Sequence, residues 1–308
     1  MDEKIKFSSL LNCTIGVGIL SWKSHKTLEK SLQSYERIGF RDFFDEVKII
    51  FQEVSEDDKK LAKKYGYDYV GLDKNLGIQG GHRCIYENLN TDYVLVLEND
   101  NPIVESRDIT YGRLLTAMNL LKDNTIDIMR LRHRWNFGEG FSLDKYLNFF
   151  EVQNIHEKYN YLDIKKNSKI ETFLKFINRI LRPDKANRLA GYSLYCEKYP
   201  ERIFPKYVEK ISDDELYSVS SEIMTWTNQS ILLKRELYGF LIDFADNNPS
   251  SRAANGFQDL EKPLNCKWWR NQNYKIGVGE GIFSHDRYDD SWRKTHPSYN
   301  KILNGDNI

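Results

Sequence analysis

Tyr93-Val94-Leu95-Val96-Leu97 is the most continuous apolar strand pattern in the chain, and it runs straight into Glu98-Asn99-Asp100-Asn101-Pro102. A run that is apolar at every position belongs to a strand covered on both faces, as in the centre of a parallel sheet. Carboxylates directly after such a strand lie at the sheet's carboxyl edge, where open α/β sheets bind ligands. There a divalent cation can bridge carboxylate and phosphate oxygens. An isolated acidic turn more often just ends a strand and caps the next turn. The surrounding pattern has to decide.

That pattern is alternation. Residues 14–20 read as a strand and 24–38 as a helix with Leu28, Leu32 and Tyr35 on one stripe; strands follow at 47–51 and 67–71, with helices at 56–65 and 80–90. A helix at 109–122 and a strand at 126–131 continue the series. Regularity then breaks, and residues 141–210 carry 14 Lys or Arg against 9 Asp or Glu, which marks an insertion. It resumes with a strand at 224–233, a helix from 234, a helix near 253–260 and a strand at 274–278. The expected fold is α/β, a Rossmann-like, mostly parallel central sheet flanked by helices, with a helical insertion. One structural unit is expected in three stretches: 1–137, a basic and mostly helical 138–215, and 216–308.

Composition bounds the rest. With 308 residues, 40% hydrophobic and 29% charged, the chain is long enough for a large core. Lys plus Arg equals Asp plus Glu at 45 each, so no global field favours nucleic acid, and no nucleic-acid partner is expected. Cys13, Cys84, Cys196 and Cys266 show no paired spacing, which fits reduced thiols and a cytoplasmic location. The opening residues lack a signal-peptide apolar region, and no stretch approaches 18 apolar residues.

From 14 to 104 and again from 226 to 285, the chain resembles the GT-A fold glycosyltransferases, especially the family 2 type, which use nucleotide sugars. Gly16-Val17-Gly18-Ile19-Leu20-Ser21-Trp22 resembles their opening strand, and Asn75-Leu76-Gly77 followed by Gly80-Gly81-His82-Arg83 resembles their Asn-x-Gly element. Glu98-Asn99-Asp100 stands where the family carries Asp-x-Asp, with Glu for Asp in first place. Gly256-Phe257-Gln258-Asp259-Leu260-Glu261 resembles the family's Glu-Asp element.

The resemblance implies a metal-dependent, inverting hexosyl- or pentosyltransferase, with a UDP-sugar as leading donor and a glycan or glycoconjugate hydroxyl as acceptor. It implies donor contacts at Ser21, Glu53, Asn75, Gly77, Arg83, Glu98 and Asn99, and Mn²⁺ or Mg²⁺ held by Asp100 and His285. Asp259 is the implied general base, with Glu261 as fallback. The first stretch then binds donor, and the last carries the acceptor side and the base. Trp135, Trp268 and Trp269 lie near acceptor-side loops, where an indole could stack on a sugar. Two alternatives stay open: a non-catalytic carbohydrate- or partner-binding relative, and a sugar-nucleotide pyrophosphorylase. Against the latter, Ser21-Trp22-Lys23-Ser24-His25 is not a glycine-rich basic loop.

Within the insertion, residues 165–188 hold eight Lys or Arg against Glu171 and Asp184, with Ile170, Phe173, Leu174, Ile177, Ile180 and Leu181 on one helical stripe. This basic amphipathic helix could pack on the sheet, make a peripheral membrane contact, or meet another subunit.

Overall fold

The computed structural model describes residues 6–138, 143–150, 168–250 and 258–288. The first half alternates as the sequence predicts: α1 (Phe7–Leu11), β1 (Ile15–Ser21), α2 (His25–Ile38), β2 (Glu46–Phe51), α3 (Glu56–Tyr65), β3 (Asp68–Gly71), α4 (Gly77–Asn88), β4 (Tyr93–Glu98), α5 (Arg107–Lys122) and β5 (Ile128–Arg132). Then come α6 (Leu143–Phe149), α7 (Lys169–Leu181), α8 (Pro183–Ala190) and α9 (Pro200–Ile203). The chain continues through β6 (Val208–Ser212), β7 (Leu216–Ser220), β8 (Ile231–Lys234), α10 (Arg235–Asn247), α11 (Glu261–Leu264), α12 (Lys267–Asn271) and β9 (Lys275–Phe283).

Among the described residues the nine strands form one sheet, in the order β3-β2-β1-β4-β8-β5-β9-β7-β6. Seven point the same way, and only β7 and β8 are reversed. The expected mostly parallel α/β sheet flanked by helices is therefore the architecture. Side chains of β4 alternate between two apolar layers. Leu95 and Leu97 join Leu28, Tyr35, Leu114 and Met118, whereas Val94 and Val96 join Ile85, Leu241 and Trp269. This is why the strand reads as apolar at every position.

Close packing of α4 on β1 depends on Gly16 and Gly18. A methyl group at Gly18 would collide with Ile85, and one at Gly16 with Thr91 and Leu89. On its outer side α4 meets α10, where His82 Nδ1 and Tyr238 Oη are 2.8 Å apart and Gly239 lies against Tyr86.

Two departures from simple alternation build the carboxyl edge. Strand β8 runs backwards between β4 and β5, pairing Ile231 with both Val96 and Arg130. The segment entering β8 therefore arrives at the edge where β4 ends. Strand β9 bulges at Gly281, which has φ 78° and sits so close to the Arg132 carbonyl that a Cβ would overlap it. The register against β5 shifts there, Phe283 pairs with Arg132, and Ile103 bridges to Phe283. Ser284 N then donates to the Pro102 carbonyl and Asp286 N to the Asp100 carbonyl, both at 2.9 Å. Thus β9 is stitched along the loop that follows β4.

Elsewhere the structure corrects the expected elements. The strand expected at 224–233 is a strand only from Ile231, because the preceding residues must turn around the sheet edge. The helix expected near 253–260 falls mostly on 251–257, outside the described residues; 258–260 are not helical, and α11 starts at Glu261. Strands β6 and β7 form an antiparallel hairpin on the sheet's far edge, so β6 belongs to the main sheet although it lies in the stretch expected to be mostly helical. The basic amphipathic segment is not one helix. Ser168 and Glu171 cap the start of α7 reciprocally, and the chain breaks at Arg182 before Pro183. No residue of α7 is buried, with Ile170 73% and Leu181 71% exposed, so its apolar stripe does not pack on the sheet.

Gly18→Ala is expected to cost about 1–3 kcal/mol by overpacking against Ile85. Gly112→Ala, in mid-α5 with nothing within 4 Å of an added Cβ, is expected to stabilise by about 0.5–1 kcal/mol. Urea unfolding midpoints moving in opposite directions would bear this out; a neutral Gly18→Ala would overturn the tight α4–β1 seam.

Candidate active site

The loop after β4 is held from below by α2. Ser31 Oγ donates to the Asn99 carbonyl and Tyr35 Oη to the Asn101 carbonyl, each at 2.7 Å, while Ser34 Oγ accepts from Ile103 N at 2.8 Å. Asn101 is buried and its Oδ1 accepts from Glu98 N at 2.9 Å, which closes the turn on itself. Asn99 N extends the ladder to the Leu20 carbonyl. Glu98 and Asp100 are thereby fixed on a rigid turn.

The edge-crossing segments bring partners to them. Ligand atoms of Glu98, Asp100 and His285 all lie within 4.8 Å of one another. His285 Nε2 is 3.0 Å from Asp100 Oδ2, and Arg287 Nε donates to the same oxygen at 2.6 Å. Gln229, on the segment entering β8, donates from Nε2 to Glu98 Oε2 at 3.1 Å and lies 2.8 Å from His285 Nε2. Arg132 in turn donates to Gln229 Oε1 at 3.1 Å.

The two carboxylates respond oppositely. Burial, reinforced by the charge of Asp100, pushes Glu98 up to about 7. Burial also acts to raise Asp100, but hydrogen bonds and charge from His285 and Arg287 outweigh it and hold Asp100 below the usual carboxylate range. Burial disfavours the charged His285, yet Asp100 raises it above an ordinary histidine. Two carboxylates and one imidazole, converging and mostly buried, form a donor set suited to Mn²⁺ or Mg²⁺.

A cavity of about 600 Å³ opens beside this cluster, with His285, Gln229, Arg132 and Glu261 in its lining. Glu261 Oε1 accepts from Asn228 N at 3.2 Å, and burial raises its carboxyl above the usual range. Asp259, two residues earlier, is not in that lining. Its Oδ1 accepts from Lys262 N at 2.8 Å, a capping contact at the start of α11. Of the two expected bases, then, the cavity receives Glu261.

The expected donor residues divide in the same way. Ser21 ends β1 and Glu53 follows β2, where Glu53 accepts from Lys23 Nζ at 2.6 Å and from Trp22 Nε1 at 3.2 Å. The Lys23 contact holds Glu53 below the ordinary carboxylate range. Asn75 Oδ1 accepts from Gly77 N at 2.7 Å, and Gly77 has φ 74°. These four follow the carboxyl ends of β1, β2 and β3. Arg83 instead reaches α10, donating to Asp243 at 2.6 Å and to Asp246.

Trp269 is 1% exposed, with its ring N–H donated to the Met224 carbonyl, so its faces are core and the expected sugar stacking is corrected. Trp268 stacks on Phe244 at 3.7 Å, and Trp135 lies against the Arg134 guanidinium. Gln229, Arg132 and Arg287 were not anticipated. The available signal was two arginines alternating within the buried strand β5, and a cation two residues beyond His285.

No family model matches the sequence, and no curated protein matches it. Among solved structures, the chain is similar to a mannosyltransferase, PcManGT, from Pyrobaculum calidifontis in complex with GDP-Man and Mn²⁺, at 9% identity over 86% of this chain and 54% of that one, with a TM-score of 0.45. It is also similar to TarS 1–349 of S. aureus with UDP-GlcNAc, at 10% identity over 94% and 64% and a TM-score of 0.47. A third is glucosyl-3-phosphoglycerate synthase from Mycobacterium tuberculosis with Mn²⁺, UDP-Glc and phosphoglyceric acid, at 12% identity over 96% and 79% and a TM-score of 0.45. This chain spans 54% and 60% of the lengths of the first two structures it matches, PcManGT and uncomplexed TarS 1–349.

Proposed function

We propose that the chain is a divalent-metal-dependent glycosyltransferase that moves a sugar from a nucleotide diphosphate, with a UDP-sugar as leading donor, to a hydroxyl of a glycan or glycoconjugate with inversion. The carrying observation is the Glu98–Asp100–His285 cluster at the carboxyl edge of the sheet, directly beside a cavity that receives Glu261. Ser21, Glu53, Asn75 and Gly77 follow the strands on the other side of the cluster, which supports assigning them to the nucleotide. Arg83 is engaged by α10 and is left out of this assignment.

Bound at Asp100, His285 and Glu98, Mn²⁺ or Mg²⁺ would supply Lewis-acid neutralisation of the leaving diphosphate. The protein's own residues do the rest. A sugar hydroxyl is a weak nucleophile at neutral pH, so a carboxylate within hydrogen-bond reach must take its proton as the oxygen attacks the anomeric carbon. Glu261, whose burial raises its proton affinity, fills that role. One in-line displacement, with base and leaving group on opposite sides of the sugar, inverts the anomeric centre. Gln229, tied to Arg132, orients both Glu98 and His285.

The exposed α7 supports a further part of the reading, contact with an anionic membrane surface. Its apolar stripe is solvent-facing, and Lys169, Lys175 and Arg179 outnumber Glu171 along it. That combination matches an interfacial helix on acidic lipid. No helix among the described residues is long and apolar enough to cross a membrane.

Calorimetric titration of UDP, GDP and dTDP is expected to show Mn²⁺-dependent binding of one nucleotide, weakened at least about tenfold in Asp100→Asn. If none binds with or without Mn²⁺, the transferase reading fails and a non-catalytic binding protein becomes the better account. Glu261→Gln is expected to lower turnover of the accepted donor about 10²–10⁴-fold with nucleotide binding retained. Asp259→Asn, which keeps a capping oxygen for Lys262 N, is expected to leave turnover within about threefold and stability nearly unchanged; the reverse ranking would return the base to Asp259. Sedimentation with phosphatidylglycerol vesicles is expected to carry the protein down and to lose it in Phe173→Glu/Leu174→Glu, whereas unchanged sedimentation would sink the membrane contact.

A further inference from the structure

The cavity beside Glu261 has a charge that the transfer reading does not need. Among the described residues, Arg130, Arg132, Lys145, Lys185 and Arg188 line it, against the single carboxylate of Glu261. They come from two separate parts of the fold: Arg130 and Arg132 from β5, and Lys145, Lys185 and Arg188 from α6 and α8. Arg130 is only 8% exposed, and the hydrogen bond it makes goes to the neutral Thr225 carbonyl. Among the described residues, the carboxylates nearest the α8 cations have other partners. Asp184 pairs with Arg270 at 3.0 Å, and Glu222 accepts from Tyr207 Oη at 3.1 Å. Arg188 Nε donates to the Asp184 backbone carbonyl at 3.3 Å, and Lys185 lies over the Phe149 ring.

Like charges gathered around a concave, partly dry space repel one another and concentrate anions from solution. A buried guanidinium is stabilised most by a hydrogen-bonding anion, and Arg and Lys together suit phosphate. At about 600 Å³ the cavity is of the size that holds a small ligand or the end of a larger one. We infer that this cavity takes the acceptor and that the acceptor carries a phosphate group, held by Lys185 and Arg188 of the insertion over Arg130 at the sheet. The assignment to an acceptor rests on the transfer reading above. It gives the insertion a recognition role: α8 supplies the charges that select a phosphorylated over a neutral acceptor.

The test uses the full chain loaded with UDP and Mn²⁺, with glucose 6-phosphate and glucose as probes in calorimetric titrations. Wild type is expected to bind glucose 6-phosphate at least about tenfold more tightly than glucose, the worth of one charge-assisted contact. The preference should weaken with added salt. Lys185→Gln/Arg188→Gln is expected to abolish the preference while the UDP affinity stays within about twofold. Lys145→Gln, on a different helix, is expected to reduce it in the same direction and guards against local unfolding of α8. Equal binding of the two sugars by wild type would overturn the inference. A loss of UDP affinity in the double variant would overturn it too, by assigning the cations to the donor's diphosphate. Wild type that binds no UDP at all fails at the earlier titration, which identifies the transfer reading, and not the pocket's charge, as the error.

Discussion

Two carboxylates buried at the end of an apolar strand are the constraint around which this molecule is arranged. Burying a carboxylate without a partner costs far more than any one contact returns, so Glu98 and Asp100 require counter-charge or donors from outside their own strand. Neither neighbour of β4 in sequence supplies it. His285 and Arg287 come from the far end of the chain and Gln229 from the segment before β8. The reversed β8 and the bulged β9 are the backbone routes by which those side chains reach the edge.

The bulge needs support of its own. Glu280, beside Gly281, meets Arg113 of α5, which also donates to Glu105 and to the Gly281 carbonyl. His133 Nε2 lies 2.9 Å from Glu105, while its Nδ1 accepts from Trp135 N and Asn136 N. Glu105, His133 and Glu280 could by residue type hold a cation. Here the Arg113 guanidinium pairs with both carboxylates, and both nitrogens of His133 are engaged. The cluster therefore reads as a clamp: it ties the strand that carries His285 to α5 and to the loop after Asp100, so that the first cluster inherits rigidity from the second.

The first half of this arrangement, from β1 to β4, was legible in the sequence because its information is local. Parallel strands covered on both faces read as continuous apolar runs, and the acidic turn announces itself where β4 stops. What was not legible depends on pairing between distant segments. Nothing in Trp226-Thr227-Asn228-Gln229-Ser230 distinguishes a strand from the loop that delivers Gln229, because the difference is the reversed direction of β8. Asp259 and Glu261 are two residues apart, and only the start of α11 decides that one caps a helix while the other enters the cavity. Trp269 has the composition of a sugar platform and the burial of a core residue. The β6–β7 hairpin was hidden by the lysine-rich composition around it, although Asp213-Asp214 between two short alternating runs is turn chemistry.

The insertion shows how one residue can divide a continuous pattern into two helices with different surroundings. Residues 169–190 keep a basic amphipathic character throughout, and periodicity alone joins them in a single helix. Pro183 forces Arg182 out of the helical region, and the two sides of the break then face different environments. Before it, α7 buries nothing and turns its apolar stripe to solvent. After it, α8 buries Leu189 and Ala190 against the core and presents Lys185 and Arg188 to the cavity. The break at Arg182 and Pro183 thus sets the exposed apolar stripe of α7 next to the cation-lined cavity. In the proposed function that adjacency matters because an amphiphilic acceptor has one part for each: an apolar part for the surface along α7, and a charged part for the cations beyond the proline.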